Sequence, residues 1–100
     1  MQPSPNGAAD LDAWYREEHN QQMSEQPGWK RTTRYSLISQ QSNSGQVGSE
    51  LTFLAMHEFD EGHELGDEVQ ALQPMSEWTK RVMGEAVGID AAIYHRVEGF

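Results

Sequence analysis

The chain has no cysteine and only four prolines, seven basic residues stand against sixteen acidic ones, and no long apolar run occurs. Each shortage excludes something. Without cysteine there is no disulfide framework, no thiolate nucleophile and no Cys-type zinc site. A net charge of −9 lacks the basic footprint that nucleic acid or an anionic membrane requires, so neither is expected as a partner. No stretch approaches the roughly 20 apolar residues of a membrane span, and Met1 to Ala9 offers neither a basic nor an apolar leader-like segment. A cytoplasmic soluble protein is the default expectation. At 100 residues the chain is one domain with a modest core, near the size where a partner often buries part of the apolar surface.

What is present begins with Asp10 to Trp29. Leu11, Trp14, Tyr15, Glu18, His19 and Met23 recur at three- and four-residue spacings, which predicts an amphipathic helix over about Leu11 to Gln26. Asp10 is the expected N-cap, and Pro27-Gly28 the stop. This helix turns His19 inward. Residues 1–9, rich in proline and small residues, read as a loop or loose arm, leaving 10–100 as the folded domain.

Trp29 to Ser39 is rich in β-branched and aromatic residues and reads as a strand, with Arg31, Thr33, Tyr35 and Leu37 on one face. Gln40 to Glu50 reads as a polar hairpin loop. Leu51 to Phe59 is the most hydrophobic run and the best central strand; Phe53, Ala55, His57 and Phe59 share one side, Leu54, Met56 and Glu58 the other. Asp67 to Leu72 is expected to form a short helical turn. Ser76 caps a second helix over Glu77 to Val87, closed by Gly88, with Trp78, Val82, Met83 and Ala86 inward. Ile89 to Val97 completes the pattern as a last strand. Helix, strand, strand, helix, strand is an α+β arrangement with two helices on one face of an antiparallel sheet, a ferredoxin-like unit without its opening strand.

Asp12-Ala-Trp-Tyr-Arg-Glu-Glu-His19, followed by Gln26-Pro-Gly-Trp29, resembles the helix-to-strand signature of EthD-like proteins of the dimeric α+β barrel superfamily. Trp78-Thr-Lys-Arg-Val-Met-Gly84 and Ile89-Asp-Ala-Ala-Ile-Tyr94 are similar to the C-terminal half of mainly fungal members. The likeness runs from about Pro3 onward. Two departures stand out. Family members open with a strand directly before the loop that corresponds to Pro3-Ser-Pro-Asn-Gly7, and they carry a His-x-Pro pattern where this chain has His19-Asn-Gln. Loss of that strand would expose the backbone edges of its neighbours. The resemblance implies a homodimer whose two sheets face each other. It also implies a small hydrophobic or aromatic ligand between sheet and helices, with no cofactor, as in related isomerases, cyclases and oxygenases.

The candidate site follows from both lines. If the His57 face of its strand meets the first helix, His19 and His57 border one cavity with Tyr35 nearby, and these three are the expected proton-transfer residues. Trp14, Tyr15, Glu18, Trp29 and Phe53 are the expected ligand-binding lining. The alternative is a non-catalytic binding module or remnant in which the histidines and aromatic residues simply pack. His57 and His63, with Glu17 and Glu18 near His19, match no metal-ligand spacing. Neither a phosphate-binding glycine loop nor a nucleophile elbow is present.

Overall fold

A computed structural model describes residues 1–41 and 51–99. Residues 42–50, all but the first two residues of the expected hairpin loop Gln40 to Glu50, and the final Phe100 lie outside the described residues. The first helical segment comprises α1 (Ala8–Trp14), a π-helical turn (Tyr15–His19) and α2 (Asn20–Ser24), joined without leaving helical dihedrals. Two strands follow, β1 (Trp29–Ser36) and β2 (Phe53–Phe59), and then α3 (Glu77–Glu85).

The helix begins at Ala8, three residues before its expected start at Leu11. Gly7 occupies the N-cap with no side-chain bond, so Asp10 is not the cap. Its carboxylate instead accepts from Trp78 Nε1 at 3.1 Å and Arg81 Nη2 at 3.0 Å, partners on α3. A charged group offered two donors across an interface does not stay on its own backbone. Ser76 behaves as read: its Oγ accepts from Thr79 N at 3.0 Å, an N-cap worth about 1 kcal/mol. The helix closes at Glu85, two residues short of the expected end, and Ala86 is already extended.

Gly28 makes the exit from α2. Its φ of +80° lies in the left-handed region, and a Cβ there would meet Asp60 Oδ1 and His63 N at 2.7 Å. The chain therefore turns tightly enough for Gly28 O to accept from Asp60 N at 2.8 Å. β1 and β2 pair antiparallel, with Tyr35 opposite Leu54, Arg34 opposite Ala55 and Thr32 opposite His57. The register slips between Trp29 and Arg31, an irregularity that turns Trp29 to the same side as Thr32.

Two further expectations fail. The stretch from Asp67 to Leu72 holds no helix. Ile89 to Val97 is not a strand: it touches the rest through an isolated bridge between Gln2 and Gly88, and beyond it the segment lies exposed. Its apolar alternation is strand-like, but a strand exists only through pairing, and among the described residues no strand is paired with it. Among the described residues the sheet has two strands.

The core lies between the helices and one face of that sheet. Leu11, Trp14, Tyr15 and Val82 are buried together, and Phe53, Ala55, Trp78 and Met1 pack against them. The molecule is thus a small α+β unit with its helical layer over a two-stranded antiparallel sheet. None of its helices is long and apolar enough to cross a membrane among the described residues.

Candidate functional site

The π-helical turn carries the site. Inserting an extra residue into one turn narrows the arc over which Trp14, Tyr15 and His19 are spread, and these three rings gather against one another. Trp14 is 1% exposed, the most deeply buried large side chain. Its indole lies almost parallel to the His19 ring, with centroids 4.3 Å apart and planes at 14°. Tyr15 meets the same imidazole edge-on at 5.6 Å, and His57 rises from β2 to meet it at 5.4 Å and 78°. The structure therefore brings the two predicted histidines together.

Hydrogen bonds engage both rings but leave one nitrogen of His19 without a partner. Trp29 Nε1 donates to Thr32 Oγ1 at 3.0 Å, and Thr32 Oγ1 stands 2.8 Å from His57 Nδ1. An indole N–H can only donate, so the natural chain runs from indole to hydroxyl to imidazole. When the hydroxyl donates onward in this chain, Nδ1 of His57 accepts and the ring proton sits on Nε2. His19 Nδ1, by contrast, is buried with no hydrogen-bond partner.

Burial, reinforced by the neighbouring His57, pushes His19 down to a pKa of about 4, against the opposing influence of Gln22 and Glu18. Burial also lowers His57. At neutral pH both rings are uncharged, able to accept a proton or donate an N–H, but not to act as a standing positive charge.

Glu18 faces α3 instead of the imidazoles. One oxygen, Oε2, accepts from Ser76 Oγ at 2.7 Å, Thr79 Oγ1 at 3.1 Å and Trp14 Nε1 at 3.1 Å. These bonds, that of Ser76 foremost, hold its carboxyl below the usual range. A carboxylate so occupied is a tie between helices, with little capacity left for a ligand.

The remaining predicted residues collect elsewhere. Tyr15, Tyr35 and Phe53 line a cleft of about 190 Å³ at the loop end of the hairpin, together with Arg34, Ser36 and Leu54. Arg34 places its guanidinium 4.5 Å above the Tyr15 ring and pairs with Asp12 at 2.8 Å. The hydrogen bond from Arg34, more than any other influence, lowers the Asp12 carboxyl. Burial raises the Tyr15 phenol. His19, His57, Trp14, Trp29 and Glu18 do not line this cleft. Tyr35 belongs to the opposite sheet face from His57, because it pairs with Leu54, one position out of phase.

The candidate residues thus form two groups that share Tyr15: a filled histidine–tryptophan cluster and an open cleft. Sequence reasoning missed Arg34, Ser36, Leu54 and Thr32. Arg34 had a signal, as one of two cations, with Lys30, on the even-numbered positions of β1, whereas Thr32 needed the strand register. Among the described residues no group of three or more His, Asp or Glu side chains is placed to hold a metal ion. Comparison with protein-family models, curated proteins and solved structures finds no match.

Proposed function

We propose that this chain is an EthD-like α+β protein of ferredoxin-like type. In this reading it works in the cytoplasm, without a cofactor, on a small hydrophobic or aromatic metabolite. His19 transfers a proton with His57 beside it, in an isomerase, cyclase or oxygenase reaction. The observation that carries this reading is the meeting of the two imidazoles, one with its Nδ1 buried and unpartnered. A burial-lowered base is fully available at neutral pH, and it is held in a dry aromatic setting where an enolisable ketone has apolar surface to lie against. The cleft lined by Tyr15, Arg34, Tyr35 and Phe53 supplies room for such a ligand, with Tyr15 as its link to the His19 ring.

The test is hydrogen–deuterium exchange of 2-tetralone in D2O, followed by NMR. The expected result is exchange faster than with free imidazole, lost in His19→Asn, and level above pH 6.5 but falling as the ring protonates towards pH 4. Equal exchange by the wild-type and His19→Asn proteins would refute the catalytic reading.

A second reading has its own observation. His19 is hemmed in by Trp14, Tyr15 and His57, the surroundings of a packed ring. In that reading the protein is a non-catalytic binding module and the histidines are structural. Both readings accommodate a homodimer with facing sheets, since Tyr35, Leu37, Leu54 and Met56 leave one sheet face apolar and open.

A further inference from the structure

The cleft beside Tyr15 is lined by a single charged side chain among the described residues, that of Arg34, and its chemistry narrows the class of ligand. Arg34 and Ser36 alternate onto the helix-facing side of β1, and the register sets Ser36 opposite Phe53, so these three share that side of the sheet. Tyr15 meets them from the π-helical turn. Neither aspartate nor glutamate is in the described lining, so nothing there neutralises the guanidinium.

The charge of Arg34 is only partly balanced elsewhere. Asp12 divides itself between two guanidiniums: Oδ1 accepts from Arg34 Nη1 at 2.8 Å, and Oδ2 pairs with Arg16 Nε at 2.8 Å. Two cations and one anion leave this trio at +1, in a chain whose net charge is −9. A guanidinium carries five N–H donors, and Asp12 takes one of them on Nη1. Among the described residues the Nε–Nη2 edge has no acceptor. That edge is a planar pair of donors, the shape that a carboxylate meets with two parallel hydrogen bonds. The group is also held in place before any ligand arrives, because it stacks 4.5 Å from the centre of the Tyr15 ring and its side chain is 26% exposed.

Size, charge and surface then limit the occupant. A cavity of about 150 Å³ accepts benzene, so a cleft of about 190 Å³ has room for one ring and a short arm. A trio at +1 matches a monoanion. A phosphate monoester brings nearly two charges and three acceptor oxygens, more than one guanidinium and one hydroxyl can satisfy. The rings of Tyr15 and Phe53 favour a flat aromatic body over a sugar or a polyol.

We infer that the cleft binds a compact aromatic monocarboxylate, its carboxylate on the Nε–Nη2 edge of Arg34 with the Ser36 hydroxyl as a further donor, and its ring against Tyr15 and Phe53. This rests on the reading that the chain receives a small aromatic metabolite, and it does not need His19 to move a proton.

The test is isothermal titration calorimetry with trans-cinnamate and its neutral counterpart, cinnamamide. The wild type should bind the acid about tenfold more tightly than the amide, the worth of one charge-assisted pair. Arg34→Gln should erase that preference while leaving amide binding within about twofold. Arg34 also packs on Tyr15, so circular dichroism checks the fold of this variant, and Ser36→Asp supplies an independent arm. Ser36 is exposed, and a carboxylate there should weaken cinnamate about tenfold with little effect on the amide. Equal binding of acid and amide, binding of neither, a preference that survives in folded Arg34→Gln or in Ser36→Asp, or tighter binding of phenyl phosphate would each overturn the inference. Proton transfer fails separately. Tetralone exchange that is lost in His19→Asn, beside a wild type that does not prefer the acid, overturns the carboxylate assignment alone. Arg34-dependent cinnamate binding without exchange upholds the assignment and refutes catalysis by His19.

Discussion

The two faces of the hairpin are built from the same two strands, yet they live differently. Thr32, Arg34, Phe53, Ala55 and His57 look towards the helices, and each polar group among them has a partner there or on the neighbouring strand. Tyr35, Leu37, Leu54 and Met56 look the other way and remain open, with Leu54 54% and Met56 45% exposed. Leu54 is as apolar as Phe53, so hydrophobicity does not decide which side is covered. The helical layer can cover only one, and it settles on the side where Thr32, Arg34 and His57 can be satisfied. An unmatched polar group there would cost more than an uncovered leucine.

The largest change should come from emptying the covered side. Trp14→Ala removes the buried indole beneath His19 and is expected to destabilise the fold by about 3–5 kcal/mol in a urea titration, enough to unfold a marginal domain. Next comes Glu18→Ala, which strips one acceptor from Trp14, Ser76 and Thr79. Thr79 is itself buried, and the expected cost is about 1–3 kcal/mol by the same measurement.

Acid should find the same face. His19 has a folded pKa of about 4 against an ordinary 6.5, so between those values the unfolded chain binds the proton more readily. Stability is then complete above about pH 6.5 and falls as the pH drops towards 4. His57 adds to the loss in the same direction. Glu18 and Asp12, both depressed, contribute only at more acidic pH. His19→Leu should flatten the melting temperature between pH 6.5 and 4, and an unaltered slope would mean that the ring titrates in the open.

The smallest effect belongs to the other face. Leu54→Thr with Met56→Thr should change unfolding free energy by no more than about 0.5 kcal/mol per site, because neither side chain has a layer to lose. If two sheets face each other across this surface, the same pair should abolish association in a sedimentation experiment. Stability and assembly would then separate cleanly between the two faces.

Much of this arrangement is legible in the residues. Helical spacing turns His19 inward, period-two alternation sets His57 on the side of Phe53, and Ser76 announces α3. What escapes has identifiable causes. Asp10 looks like a cap until Trp78 and Arg81, about seventy residues away, offer it better partners. The π-helical turn at Tyr15–His19 leaves no local mark, since nothing in Tyr-Arg-Glu-Glu-His differs from an ordinary helix; packing selects it. Residues 89–97 have a strand's composition but not a strand's neighbour. Arg34 and Thr32 become site residues only once the register sets them against Tyr15 and His57.

The near-parallel stack of Trp14 on His19 carries an optical consequence. An indole excited by ultraviolet light loses its emission to a protonated imidazole at van der Waals range, but much less to a neutral one. With 4.3 Å between the ring centres, the Trp14 share of the emission follows the charge of His19, and Trp29→Phe with Trp78→Phe isolates it without label or ligand.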